Sequence, residues 1–124
     1  MTRMLVVTQQ HSEVVDIDIT LASLRGFLDN GYLEAIYGWH PYGEWSCYLD
    51  EEGKLKGLPV NETATLLAAQ AGWAGAMSDV LCGTALFLGP ADEEGFDTAV
   101  PDWLVVLANS IRPVRNKTQG QTAT

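Results

Sequence analysis

Cys47 lies seven residues after His40. A strand pair joining the two segments would bring a nucleophile toward a base, the arrangement covalent catalysis needs. His40, however, opens the turn-forming run His40-Pro41-Tyr42-Gly43. That puts the imidazole at the end of a hairpin and Cys47 deeper along a strand, so the thiol reads as structural. Carboxylates are numerous but fall in turns, where they stay ionised and solvated; a working acid needs a desolvated pocket. His11, His40, Cys47 and Cys82 are far apart and form no C-x-x-C or H-E-x-x-H spacing. The two Asp-Glu-Glu-Gly turns could gather a hard cation, yet they lack the alternating ligands of a calcium loop. No phosphate-cradling G-x-x-x-x-G-K-[ST] or G-x-G-x-x-G run occurs. The sequence therefore assigns no catalytic residue, no metal ligand and no cofactor, and the chain reads as a non-enzyme.

The residues best suited to recognition are Trp39, His40, Tyr42, Glu44 and Trp45, grouped around Pro41 and Gly43. Three large aromatics at one turn carry much contact area at little entropic cost, as residues at protein interfaces do. They are equally able to stack on a flat ligand. A second reading makes Trp39 and Trp45 a cross-strand pair that closes the hairpin.

Elements that would position this turn follow from periodicity. Met4–Thr8 and Val14–Ile19 read as strands, the second alternating Val15, Ile17 and Ile19 against Asp16, Asp18 and Thr20. Thr20 caps a helix whose apolar face is Leu21, Leu24 and Leu28, and Asn30-Gly31 stops it. Tyr32–Trp39 and Trp45–Leu49 are the strands of the aromatic hairpin. Asn61 caps a second helix that fades at Gly72 or Gly75. Val80–Leu88 reads as a central strand, buried on both faces. Pro101 starts a third helix with Trp103, Leu104, Leu107 and Ile111 on one face, a strand being the alternative there. The expected fold is α+β, a mixed sheet of four to five strands with two or three helices, in the order β-β-α-β-β-α-β-α. A single domain over 1–114 and a frayed polar tail over 115–124 complete the picture.

Composition agrees with one ordered domain: 124 residues, 47% hydrophobic and 19% charged. The formal charge is −9. Residues 4–111 hold all 16 acids against Arg25, Lys54 and Lys56, which gives that body −13. A body of this sign repels nucleic-acid phosphates and anionic membranes and attracts a basic protein surface; it also simply keeps a small domain in solution. Met4–Val7 is too short for the apolar core of a secretory signal, and no run approaches a membrane span. A cytoplasmic protein with reduced cysteines is expected.

Asp50-Glu51-Glu52-Gly53 recurs as Asp92-Glu93-Glu94-Gly95, each with a proline nine residues after the aspartate and a helix-like run beyond. This is either a duplicated strand–turn–helix unit or two ordinary turns made of turn-favouring residues. The longer segment Leu49–Ala64, with Glu51, Glu52, Gly53, Lys54, Gly57, Leu58, Pro59 and Asn61, resembles the central motif of an uncharacterised domain family. That family occurs in phages, plasmids and actinobacteria and is known only as a domain of unknown function. Its core runs asparagine-glutamate-glutamate-glycine-lysine, then glycine-leucine-proline, then an asparagine before an alanine-rich helix; Asp50 stands where the family often has asparagine. Gly31-Tyr32-Leu33-Glu34 resembles its upstream element, and Asp79–Thr84 with Gly89 and Asp92–Gly95 its downstream one, so the likeness spans about residues 14–100. The resemblance implies a setting and not a reaction. In physical terms the motif is structural: Gly53 for a tight turn, Gly57 for a close backbone approach, Pro59 for a rigid entry to the helix capped by Asn61.

Together these readings point to a phage or mobile-element accessory protein that binds a host protein with a basic surface, without catalysis. It would act in the host bacterial cytoplasm, without direct nucleic-acid or membrane contact. Two alternatives stand beside it: an acidic DNA mimic that inhibits a nucleic-acid enzyme, and a binder of a nucleotide-like small molecule. The aromatic turn serves equally well as a contact between copies of the chain.

Overall fold

Alternation along Met4–Val7 decides the layering. Leu5 and Val7 point into one apolar cluster, Met4 and Val6 into another. Side chains two apart in a strand share a face, so the two clusters lie on opposite sides of one sheet. The computed structural model describes residues 1–116. Its elements are β1 (Thr2–Val7), β2 (Ser12–Ile17), α1 (Leu21–Phe27), β3 (Leu33–His40), β4 (Gly43–Asp50), α2 (Glu62–Gln70), a 3₁₀ turn (Ala74–Met77), β5 (Ala85–Leu88), α3 (Asp102–Ile111) and β6 (Val114–Asn116). Among the described residues the six strands form one mixed sheet in the order β3-β4-β5-β1-β2-β6. All neighbours are antiparallel except β2 and β6. The α+β class and the element order agree with the sequence. The sixth strand does not: β6 runs through Arg115 and Asn116, the start of the expected tail, and pairs with β2 from Ser12 to Val14. The rest of that tail lies outside the described residues.

Helices α2 and α3 cover one face, packing Ala64, Leu67, Ala68, Leu104 and Ala108 against Leu5, Val7, Trp45, Cys47 and Phe87. Small residues on α2 let the helix sit close to the sheet, so bulky Trp45 and Phe87 fill the interlayer space. Helix α1 covers the other face with Leu24 and Leu28 against Met4, Val6, Val15, Leu86 and Leu88. Its N-terminus is a reciprocal capping box, Thr20 accepting from the Ser23 amide and Ser23 from the Thr20 amide, both at 3.0 Å. It ends differently from the expected Asn30-Gly31 stop. Asp29 and Asn30 take the left-handed conformation themselves, as short polar side chains tolerate. Gly31 is needed for another reason: a Cβ there would strike the Asp50 carboxylate.

The strand expected over Val80–Leu88 is shorter. Only Ala85–Leu88 joins the sheet, fully buried between β4 and β1. The preceding residues are drawn off to the start of α2: Leu81 donates to Thr65 Oγ1 and accepts from the Asn61 amide, and Gly83 turns with φ near 80° to donate to Pro59.

Asn61 joins these parts. Its side chain is fully buried. Nδ2 donates to the carbonyls of Val7 and Gly83, both at 2.9 Å, while Oδ1 accepts from the Ala64 amide at 3.0 Å. Replacing it with alanine removes a helix cap, worth about 1 kcal/mol, and takes one bond each from the Val7 and Gly83 carbonyls, at roughly 1 kcal/mol each. We expect Asn61→Ala to lower the unfolding free energy in urea by about 2–4 kcal/mol. Asn61→Asp, which turns an anionic oxygen toward those carbonyls, should be worse at neutral pH. A cost for Asn61→Ala below about 0.5 kcal/mol would remove Asn61 from this role.

Candidate binding face of the aromatic hairpin

Strands β3 and β4 pair from Leu33↔Asp50 to His40↔Gly43, leaving Pro41-Tyr42 as a two-residue turn. Cross-strand partners share a face. Gly38↔Trp45, Ile36↔Cys47 and Glu34↔Leu49 therefore look toward α2; Trp39↔Glu44, Tyr37↔Ser46 and Ala35↔Tyr48 look the other way. This divides the aromatics of the hairpin. Trp45 is 1% exposed, and its indole donates to the Ala71 carbonyl at 2.8 Å. It belongs to the core and drops out of the expected contact surface. The cross-strand Trp39–Trp45 pair is likewise excluded, because the two rings lie on opposite faces. Trp45 has Gly38 as its neighbour because any Cβ at 38 would run into the indole.

On the other face Trp39 and Tyr37 are 66% and 67% exposed. Helix α1 reaches only as far as Leu33 and Tyr48. Beyond it the Gly89–Thr98 loop crosses β4, held by Ser46 Oγ to the Gly89 carbonyl at 2.8 Å and by Tyr48 to Asp97 at 2.9 Å. Burial, and then the adjacent Asp97 carboxylate, push the Tyr48 phenol up to about 12, so it remains a donor. Phe96, exposed, stands next to this bond, and Glu44 is exposed opposite Trp39.

At the tip, His40 stacks on Trp103 of α3 with ring centres 4.7 Å apart, and its Nδ1 accepts from the Tyr42 amide at 3.1 Å. Tyr42 stands edge-on to the same Trp103 and is 76% exposed. The turn is thus held by stacking while its outer surface stays open. His40 and Cys47 are not brought together. His40 closes the hairpin, whereas Cys47 faces Ile36 in the buried core, where desolvation pushes its thiol far up. Tyr37 and Trp103 were missed as candidates. Strand alternation with Trp39 marks Tyr37 in retrospect; nothing local marks Trp103, whose role depends on the tertiary approach of α3.

The Asp50–Asn61 segment forms the wall beside this hairpin. The Asp50 side chain accepts from the Glu52 amide at 2.9 Å and from Lys56 Nζ at 2.7 Å, and its carbonyl accepts from Gly53. Asp92 repeats the turn, accepting from the Glu94 amide at 2.9 Å and from Gly95 at 3.0 Å. The echo in the sequence therefore has turn chemistry behind it. Glu51 and Glu52 are exposed. The two glycines exchange their expected roles. Gly53 is the close approach, with the Asp50 and Cys82 carbonyls 3.3 Å from where a Cβ would sit; Gly57, at φ 70°, makes the left-handed turn in open space. Pro59 accepts from Gly83, and Asn61 caps α2 as expected.

Beside the edge of β3 lies a cleft of about 180 Å³, with Ile36, Leu49, Trp73 and Leu81 among its apolar lining. Glu34, Asp50, Glu51, Asp79 and Lys54 also line it, and the Asp50 carboxylate is already paired with Lys56. Lys54 is paired with Asp79. Another cleft, of about 190 Å³, opens between Phe27, Leu58 and Thr84. Among the described residues no three histidine, cysteine or acidic side chains gather to hold a metal ion, and no helix is long and apolar enough to cross a membrane.

The profile of a family described as Domain of unknown function (DUF3846) matches residues 1–109. The chain belongs to this family. The match takes in β1 and most of α3, both outside the span of the sequence resemblance. No curated protein and no solved structure matches the chain significantly.

The buried Asp50 carboxylate makes a pH prediction. Burial alone would raise its pKa; Lys56 and the Glu52 amide outweigh that and hold it below the usual carboxylate range. A depressed folded value stabilises the fold above the unfolded pKa of about 3.9, and that stabilisation is lost as pH falls through the lower folded value. The melting-temperature gap between wild type and Asp50→Asn should therefore be full at pH 6 and close between about pH 4 and pH 2. A gap constant across that range would show that the ion pair does not act on stability.

Proposed function

We propose that this DUF3846 member is a non-catalytic interaction module that grips a basic surface of a partner protein with the outer face of the β3–β4 hairpin. The observation that carries this reading is the pair Tyr37 and Trp39, two-thirds exposed on an edge strand that is paired with β4 along its length. Soluble domains rarely leave adjoining large aromatics on a flat strand face unless the face is used. Rigid Tyr and Trp side chains lose little entropy on contact and dominate binding energy where they are buried by a partner. Glu44, exposed across from Trp39, together with the acidity of the whole body selects for basic partners and speeds encounter.

The family resemblance suggests the setting. Residues Leu49–Asn61 follow the core pattern of a family found in phages and plasmids, and in this chain that stretch is scaffold, ending in the buried Asn61 clamp. A structural motif beneath an exposed aromatic surface suits a phage or mobile-element accessory protein directed at a host protein in the bacterial cytoplasm. Two observations favour this over the alternatives. Asp50, Asp79, Asp97 and Asp102 are engaged within the molecule, by Lys56, Lys54, Tyr48 and Arg3, which removes four of the 16 acids from any phosphate-like row. The clefts of about 180 and 190 Å³ fall below the roughly 300 Å³ at which ligand pockets begin.

The test is affinity capture of one host protein by the tagged chain, followed by direct titration of that purified protein. Trp39→Ala should weaken binding about 30-fold or more. Alanine at the similarly exposed Val106 of α3, which lies beside β2 and β6 at the far end of the sheet, should leave it within about twofold. Binding should also weaken as salt rises from about 50 to 500 mM. Equal affinity for wild type and Trp39→Ala would refute this assignment of the face.

A further inference from the structure

We propose that the partner supplies an extended segment carrying lysine or arginine, which adds as a strand to the free edge of β3 at Leu33–Tyr37 and sets its basic side chains in the adjoining acidic cleft. This rests on the contact reading above and names its chemistry.

The edge is open for a reason found in the hairpin register. His40 and Gly43 flank a two-residue turn, and such a closing pair is hydrogen-bonded; the classes then alternate down the ladder. The Glu51 amide bonded to the Tyr32 carbonyl fits that alternation. Leu33, Ala35, Tyr37 and Trp39 consequently turn their amides and carbonyls away from β4. At Trp39 this outward amide meets the Gly72 carbonyl at 3.3 Å, and Gly38 bridges to Trp73. Below that point, among the described residues, no backbone group faces Ala35 or the Tyr37 amide; the Tyr37 carbonyl is taken up by the bridge. A run of unpaired main-chain groups on a sheet edge is a template for another strand.

What would lie on it follows from the two faces. Alternate side chains of an added strand would point to opposite sides. On one side they meet Tyr37 and Trp39. On the other they meet Glu34, Ile36 and the cleft, where Asp79 is paired with Lys54 and Asp50 with Lys56, which leaves Glu34 and Glu51 without a cation. The cleft thus carries excess negative charge above an apolar floor. A lysine or arginine matches it, the stem lying on Ile36 and Trp73 and the head among Glu34 and Glu51. The segment that fits is extended and alternates basic with apolar or aromatic residues.

The experiment pans a displayed library of random dodecapeptides against the full chain and titrates the enriched peptides by fluorescence anisotropy. Enriched sequences should alternate basic and apolar residues. Ala35→Pro deletes an outward amide that the β3–β4 ladder does not use, so the sheet tolerates it; it should weaken binding at least 30-fold, and Glu34→Gln about fivefold. Because Ala35→Pro is open to a folding defect, the same peptides are also made with N-methyl groups on the residues facing the edge. These should lose binding to the unaltered chain, and amide exchange at Ala35 and Tyr37 should slow only with the unmethylated peptides. If N-methylation leaves affinity unchanged while Trp39→Ala abolishes it, strand addition falls and the aromatic contact stands. If no peptide is enriched, or the edge proves to be occupied by a second copy of the chain, the inference is overturned. If the enriched peptides also ignore Trp39→Ala, the contact reading falls with it.

Discussion

A buried primary amide sits where three parts of the chain meet. Asn61 holds the end of β1 through Val7, the approach to β5 through Gly83 and the first turn of α2 through Ala64. Without it the Ala64 amide loses its cap and the Val7 and Gly83 carbonyls each lose a bond, at a cost of order 1 kcal/mol apiece. The constraint works backward along the chain as well. Asn61 is placed by its own amide on Leu81 and by Pro59 accepting from Gly83, so the Asp50–Leu58 turns must deliver the chain to a fixed point. Gly53 and Gly57 are the positions at which that path leaves no room for a side chain or demands a left-handed turn. Once α2 is fixed, Ala71 accepts the Trp45 indole and Gly72 reaches the β3 edge, so the hairpin is positioned from the same clamp.

The division of aromatics on the hairpin is a consequence of that packing. One face must fill the space under α2, and Trp45, Cys47 and Leu49 do so. Period-two alternation then forces Glu44, Ser46 and Tyr48 onto the opposite face, with Trp39, Tyr37 and Ala35 across from them. Two polar members of this second set are anchored: Ser46 and Tyr48 tie down the Gly89–Thr98 loop. The aromatic members of β3 are not covered by that loop, which crosses β4. Exposure of Tyr37 and Trp39 is therefore set by where α1 and one loop stop, not by disorder of the strand that carries them.

How much of this could be read from sequence depended on whether the deciding contact was local. The caps Thr20 and Asn61, a turn within His40–Gly43 and the alternation of Val15 and Ile17 are local, and each stands where expected. The second strand of the hairpin was placed correctly, but which of its faces would be dry was not, because that choice belongs to α2; Trp45 was assigned to the surface for this reason. Val80–Thr84 is apolar enough for a strand and is diverted by bonds to Thr65, Asn61 and Pro59, all distant in sequence. Three-residue β6 has no periodicity to detect, and its stability comes from lying parallel to β2. Gly31 reads locally as a helix stop, whereas its lack of a side chain makes room for Asp50 from another strand.

An open sheet edge endangers the protein that carries it, since identical chains can pair along it. Two features limit this here. The Gly72–Trp73 segment covers the end of β3 nearest the tip, which shortens the template. Charge does the rest. Two copies meeting at this edge would bring Glu34 and its neighbouring cleft acids together, between bodies that each carry −13 over residues 4–111. Within a Debye length, about 8 Å at physiological salt, that repulsion opposes self-pairing, and the same field draws in a basic segment. The acidity that reads in the sequence as a device for solubility therefore has a second effect in the fold: it biases an otherwise indiscriminate backbone edge against its own kind and toward partners of opposite sign.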